Sequence, residues 1–243
     1  MANVKPDDAS EQTARDLDAF VYAVSHDMSA PIRAVSGFSR LILDRTGDNF
    51  DIKTREQFDY IIRAGEEMQA MLTALTEYSR LSTRPNPPAE TAVAELMGMV
   101  VEGFAERIRE TNASIEMDIE DTLTLYGDIP RLMRLFECLL DNALLYRDPD
   151  RPLKIQILGW RDEKCLHLSV ADNGIGMSPS NELRERIFRP FGRLHRPEDY
   201  PGIGMGLTLA KKIAGLHNGT LDFDSTPGAG SQFFLTLPSP PAS

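Results

Sequence analysis

The chain has 243 residues, 42% of them hydrophobic and 26% charged, enough for one or two globular domains with real cores. Its 37 acidic and 26 basic side chains give a net charge of −11, which leaves no basic footprint for nucleic acid. Two cysteines, Cys138 and Cys165, make neither a disulfide framework nor a metal cluster. No apolar run approaches the roughly 18 residues of a membrane helix, and the polar, acidic N-terminus is no signal peptide, so a cytoplasmic protein without membrane insertion is expected.

Residues 12–45 carry Leu17, Val21, Val24, Met28, Val35, Phe38 and Ile42 at steps of four and three, with Pro31 in the remaining place. This is the spacing of a helical seam. "RTGDNFD" (45–51) reads as a turn, and Phe58, Ile61, Gly65, Met68, Leu72 and Leu75 step the same way in a second helix. Two such helices joined by a short loop form an antiparallel hairpin. Each stripe is narrow, so a homodimeric four-helix bundle is expected; the alternative is a hairpin packed on its own C-terminal domain. "STRPNPPAE" (82–90), with three prolines, places a linker at 84–90 between a hairpin domain at 12–83 and a mixed domain at 91–238.

In the second domain the pattern predicts a helix over 94–111 and a strand over 114–119. Asp128 is placed to cap a helix running to about Tyr146. Strands follow at 153–160 and 165–172, then a helix at 205–216. "GTLDFDS" and "SQFFLTL" flank "TPGAG" as a closing hairpin.

Two glycine clusters carry chemistry. "DNGIG" (172–176) follows a strand and "GIGMGL" (202–207) leads into a helix. Glycine admits close backbone approach, and a helix N-terminus offers unpaired N–H groups to phosphate. The spacing is neither the dinucleotide fingerprint nor a Walker A loop. Asp172, at a strand end, can accept a hydrogen bond from an exocyclic amine such as adenine N6; a turn-forming Asp is the plainer reading. In the 128–147 helix, Leu132, Phe136, Leu139 and Ala143 form a core face, while Cys138, Asn142 and Leu145 lie on another. Asn142 is suited to a hydrated magnesium ion. His26 stands two residues past Val24, beside the seam and open to solvent. Asp27 can orient its imidazole, Pro31 should bend the helix nearby, and a neutral imidazole is a competent nucleophile toward a γ-phosphoryl group.

Together these stretches resemble the transmitter core of sensor histidine kinases, on the phytochrome-like or PAS-linked side of that family. "SHDMSAPIRAVSGF" is similar to its H-box and "LLDNALLYRDPDRPL" to its N-box. "VADNGIGM" is similar to its G1 box, "RIFRPFGRLH" to its F-box and "PGIGMGLTLAKKIAGLHNGTL" to its G2 box; "TPGAGSQFFLTLP" closes the set. The resemblance covers about 12–238 and implies a dimerisation and phosphotransfer hairpin followed by an α/β-sandwich ATP-binding domain. It implies that His26 accepts a phosphoryl group with help from Asp27. It further implies that Asn142 holds Mg²⁺, that Asp172 reads adenine beside Gly174 and Gly176, and that Tyr146 lines the ATP pocket. Gly202, Gly204, Met205, Gly206 and Leu207 would hold phosphate, and 177–201 would be a lid anchored by Phe188 and Phe191. The phosphoryl group would pass to an aspartate of a response regulator, with input from an upstream sensory domain or a separate sensor.

The chain departs from that family at three places. Cys138 replaces a usual asparagine and Leu145 a usual cation; Arg189, Arg193, Lys211 and Lys212 are the cations able to replace it. Ala30 stands where bifunctional members carry Thr or Asn, which implies weak phosphatase activity by that route. The competing readings are a histidine phosphotransfer or pseudokinase scaffold with a degenerate ATP-binding domain, and another ATPase of the same sandwich fold, a class that lacks the "SHD" hairpin.

Overall fold

The computed structural model of the protein describes residues 6–178, 180–194 and 200–239. They fall into two compact units that meet between Arg84 and Pro85. The first is a helical hairpin: α1 (Pro6–Thr46), a 3-10 turn (Gly47–Asn49) and α2 (Ile52–Thr83). The α2 helix starts at Asp51, whose carboxylate accepts the Thr54 N–H at 2.7 Å, the usual way to satisfy a first-turn donor. The α1 helix runs through Pro31 unbroken.

The hairpin does not close on the expected seam. Of that series in α1 only Val21 is buried; Leu17, Val24, Met28, Val35, Phe38 and Ile42 are exposed. Among the described residues of α1, Asp18, Val21, Ser25, Ile32 and Ser39 are buried; all but Val21 stand one residue past a position of the expected seam. Small groups dominate this inner stripe because the two helices approach closely. A Cβ at Gly65 of α2 would collide with Ser36 Oγ. Gln69 Nε2 donates to Ser29 Oγ at 3.2 Å, and Ser29 Oγ donates to the Ser25 carbonyl at 2.6 Å. The bulky stripe is left outside.

The second unit begins with a short strand, β1 (Ala89–Ala92), whose first two residues fall in the stretch read as linker. Next come α3 (Val93–Gly103), α4 (Ala105–Thr111), β2 (Ser114–Ile119), β3 (Thr124–Gly127) and α5 (Ile129–Leu145). The expected single helix over 94–111 is therefore two, parted at Phe104, whose φ and ψ of −106° and 9° lie off the helical values. The rest is β4 (Lys154–Arg161), β5 (Cys165–Asp172), α6 (Asn181–Arg186), α7 (Gly206–Leu216), β6 (Thr220–Thr226) and β7 (Gly230–Pro238).

Five strands form a mixed sheet in the order β2-β4-β5-β7-β6, with β2 and β4 parallel and the other pairs antiparallel; β1 and β3 pair separately. The parallel pair requires a crossover, which β3 and α5 supply. Burial alternates along the strands, most cleanly in β6, so one face of the sheet is apolar. That face supplies Ile155, Ile157, Leu166, Leu168, Val170, Phe223, Phe233 and Leu235. The helices supply Leu132, Phe136, Leu139 and Ala143 of α5, and Leu209, Ala210 and Ile213 of α7; all are buried. The outer edge of β6 is held by Arg184 of α6, which donates to the Phe223 carbonyl at 2.7 Å and pairs with Asp222 and Asp224.

Phe136 is 1% exposed in the middle of this core. Phe136→Ala is expected to lower the stability of the second unit by about 3–5 kcal/mol, read as a shifted denaturation midpoint.

Candidate functional site

His26 lies on α1 next to the buried Ser25, and its side chain is 73% exposed. Asp27 Oδ1 is 3.1 Å from His26 Nδ1, and the Tyr22 ring stacks nearby at 6.3 Å between centroids. A carboxylate only accepts, so the Nδ1 proton points to Asp27 and Nε2 keeps its lone pair for an electrophile. His26 and Asp27 are thus brought together within one turn of one helix.

In the second unit, three loops converge on the end of α5. Tyr146 ends that helix, and its carbonyl accepts the Ile175 N–H at 3.0 Å. Gly174 is forced by this contact, because a Cβ there would strike the same carbonyl. Gly176 (φ +62°) passes equally close to the Thr226 carbonyl, and Gly230 (φ +110°) to that of Asp172. The closing hairpin thus holds the 172–176 turn in place; Gly228 N–H donates to the Ile175 carbonyl at 2.7 Å.

Asp172 Oδ1 accepts from Gly174 N at 2.8 Å and from Ser231 N at 3.3 Å, leaving Oδ2 as an acceptor for a ligand amine. Burial pushes its carboxyl up to about 6, although those two backbone donors and the nearby Arg151 charge act against it. Arg151 was not foreseen in sequence. Its Nη2 donates to the Gly174 carbonyl at 2.7 Å and lies 3.3 Å from Asp148. An arginine in a Pro- and Asp-rich loop carried no pattern that could have marked it. Ser231 was likewise legible only as a strand residue.

The second glycine cluster lies against α5. Gly202 (φ +132°) and Gly204 (φ +73°) have backbones suited to glycine. A Cβ on Gly202 would sit 3.9 Å from Leu145 Cδ2, and one on Gly206 3.7 Å from Cys138 Cβ. The departures Cys138 and Leu145 are therefore both at this glycine loop. Cys138 is buried and supplies no oxygen; Asn142 lies one turn beyond it, half-buried. No side chain caps α7 at the buried Met205, so the first-turn amides around Gly206 and Leu207 are available to an anion. In the same turn Thr208 Oγ1 is buried without a partner among the described residues.

The Tyr146 ring lies tilted against Tyr200 with 5.1 Å between centroids, and Arg193 donates to the Tyr200 carbonyl at 2.6 Å. Burial raises the Tyr146 hydroxyl above its ordinary value, opposed by the Arg193 charge. Of the four cations proposed to replace the one lost at Leu145, Arg193 is the one seen beside Tyr146. Arg189 pairs with Glu185 at 2.8 Å, and Lys211 lies 4.3 Å over the Phe188 ring. Phe188 packs edge-on against Phe223 at 6.1 Å, as an anchor should. Phe191 does not anchor: it is exposed, with a φ of +60°. Residues 179 and 195–199 of the expected lid lie outside the described residues. No group of three His, Cys, Asp or Glu side chains suits a metal, and no helix is long and apolar enough to cross a membrane, among the described residues.

An exposed His–Asp pair on a helical hairpin, followed by an uncapped helix behind a glycine loop and a buried acceptor, defines a histidine kinase transmitter. Residues 16–84 match the His Kinase A (phospho-acceptor) domain, and residues 127–241 the histidine kinase-, DNA gyrase B- and HSP90-like ATPase domain. The chain belongs to the sensor histidine kinases and holds their transmitter core. It is 32% identical over 228 residues to the phytochrome-like protein Cph1 of Synechocystis, covering 94% of this chain and 30% of that one. The chain thus spans less than a third of that relative's length. A crystal structure of full-length ShkA in complex with AMPPNP shares the fold at a TM-score of 0.67 and 20% identity, covering 93% of this chain and 47% of that one. The catalytic domain of histidine kinase ThkA does so at 0.55 and 25%, covering 63% and 98%.

Only an ionised Asp172 accepts from an adenine amine without competition, so nucleotide affinity should fall as pH drops through about 6. The apo protein behaves oppositely. A folded pKa above the unfolded one adds stability below about 4, which is lost as pH rises to about 6. A titration of a fluorescent ATP analogue across pH should show the acid limb. Arg151→Met should move that limb to higher pH, and Asp172→Asn should remove nucleotide binding.

Proposed function

We propose that this chain is the catalytic core of a two-component kinase that phosphorylates its own His26 from ATP and passes the phosphoryl group to an aspartate of a response regulator receiver domain. The observation that carries the reading is the His26–Asp27 pair at 3.1 Å on a 73% exposed side chain; in the neutral imidazole this contact takes the Nδ1 proton and leaves the Nε2 lone pair for the electrophile. In the step, the Nε2 lone pair forms a bond to the γ-phosphorus while the bond to the β–γ bridging oxygen breaks, and ADP leaves. Positive charge develops on the imidazole, and Asp27 stabilises it through the Nδ1 proton and then takes up that proton. On the donor side, Asp172, Gly174 and Gly176 would orient adenine, with Tyr146 beside it. Gly202, Gly204 and the amides from Met205 to Leu207 would hold phosphate.

Mg²⁺ fits this pocket in a restricted way. One neutral oxygen from Asn142 suits an ion that keeps its water and phosphate ligands, and Cys138 adds none. When bound, the ion would neutralise charge on the transferring phosphate.

The bulky outer stripe of α1 supports a homodimer. Leu17 and Phe38 are 58% and 66% exposed, and a second hairpin would convert two such stripes into a four-helix core. A signal would then arrive from an upstream sensory domain or a separate sensor. The second reading, a phosphotransfer scaffold with a degenerate ATP-binding domain, draws on Leu145, whose methyl group lies against the Gly202 loop at a position where the family usually carries a cation.

With γ-labelled ATP and Mg²⁺ the full chain should acquire acid-labile label, and His26→Ala should acquire none. Absence of label from ATP, together with uptake from a phosphorylated regulator, would favour the scaffold. Val35→Glu combined with Phe38→Glu should turn a dimer into a monomer by light scattering, since two charges cannot be buried in an apolar seam.

A further inference from the structure

The residues that fasten the linker to the second unit form a closed network that the proposed chemistry does not use. Asn86 donates twice to Asp128: its backbone N–H to Oδ2 at 2.8 Å and its Nδ2 to Oδ1 at 3.0 Å. Asp128 Oδ1 also caps α5 by accepting from Arg131 N at 3.2 Å, and Oδ2 pairs with Arg131 Nε at 3.0 Å. Burial pushes the Asp128 carboxyl up, but the bonds from Asn86 and Arg131 outweigh it and hold the group below its ordinary value. The backbone N–H of Asp128 donates to His217 Nε2 at 3.0 Å, and His217 Nδ1 lies 2.8 Å from the Ile213 carbonyl. A carbonyl only accepts, so His217 carries its proton on Nδ1 and receives a hydrogen bond at Nε2. Gly127 makes room for the ring: a Cβ there would lie 2.6 Å from His217 Cδ2.

This clasp joins three things. It holds the linker, the first turn of α5 and the residue that ends α7. Those two helices carry Asn142 and the glycine-loop amides at their other ends. On the hairpin side, Arg84 still donates its N–H to the Arg80 carbonyl at 3.0 Å. Fixed chain resumes at Asn86, so only Pro85 is left between the two. Proline fixes φ and has no N–H to give to either side. If the clasp opened, the joint would grow to residues 85–88, since β1 starts at Ala89.

We propose that Asn86, Asp128 and His217 are positioning residues for phosphoryl transfer: they bind the linker to both nucleotide-bearing helices and so make Pro85 a one-residue joint that keeps the tether between the nucleotide site and His26 short. This rests on the reading of His26 as acceptor. A short, oriented tether raises the productive encounter rate, and a longer one dilutes it. Nucleotide affinity is set at the far ends of α5 and α7 and should not change.

The test uses the full chain, with Asn86→Asp, which sets a second carboxylate against Asp128, and Asn86→Ala. Expected for both is a fall of about tenfold in the labelling rate at saturating ATP, with faster amide exchange over 86–92. The dissociation constant of a fluorescent ATP analogue should stay within about twofold, which also shows that each variant folds. His217→Gln, which can still accept from Asp128 N–H, should retain most of the rate that His217→Ala loses. An unchanged or faster rate in the Asn86 variants sinks the proposal. So does a rate that falls only in step with weaker nucleotide binding, because that marks a merely structural role. If the wild type itself takes no label from ATP, the kinase reading fails and the clasp falls with it; normal wild-type labelling beside unaffected variants defeats the clasp alone.

Discussion

Backbone packed against backbone at the end of β5 is the constraint on which the nucleotide-binding unit depends. Gly174 touches the Tyr146 carbonyl, Gly176 that of Thr226, and Gly230 that of Asp172. None of these contacts tolerates a side chain, and each ties a different part of the chain to the same turn. The consequence is chemical. Asp172 is held by two backbone donors in a half-buried place, so its remaining oxygen is fixed in direction and its charge is costly to keep. An acceptor prepared in this way is already oriented, so a donor that met it would pay little for reorganisation.

Much of this was legible in the sequence, and the reason is that glycine is a strong signal. Where φ is positive or backbones touch, only glycine serves, so the two clusters announced themselves. The long elements were equally plain: α5 and α7 carry apolar side chains at helical spacing, and β4, β5, β6 and β7 alternate. Short elements were not. The strands β1 and β3 have four residues each, too few for any period to show. The break at Phe104 is marked by Gly103 alone, too slight a signal to divide an otherwise helical run. Nor does a sequence show polar side chains whose role depends on a distant partner, and Arg151, Ser231, Asn86 and His217 are all of that kind.

The hairpin failed to match expectation for a different reason. Two stripes of the same three–four stepping run along α1, one residue apart. Hydropathy selects the bulky one, Leu17 to Ile42, whereas the helices of one chain meet along the small one, Ser25 to Ser39. Close approach favours small groups, and serine scores as polar although it packs like alanine. His26 stands beside Ser25, off both the contact line within the chain and its solvent-facing opposite. A residue so placed is held by a rigid helix while its imidazole stays accessible.

Arg184 adds a consequence of another sort. A sheet edge offers unpaired carbonyl and amide groups to any passing strand, and proteins guard such edges with charge or a covering element. Here α6 does both, since one guanidinium occupies the Phe223 carbonyl and two neighbouring carboxylates. The opposite edge strand, β2, carries the exposed charges Glu116 and Asp118. Self-association into intermolecular sheet is thus opposed on one side by a single side chain borne on a six-residue helix. Loss of Arg184 would therefore expose the Phe223 carbonyl and leave Asp222 and Asp224 without this guanidinium, a cost in solubility as well as in fold.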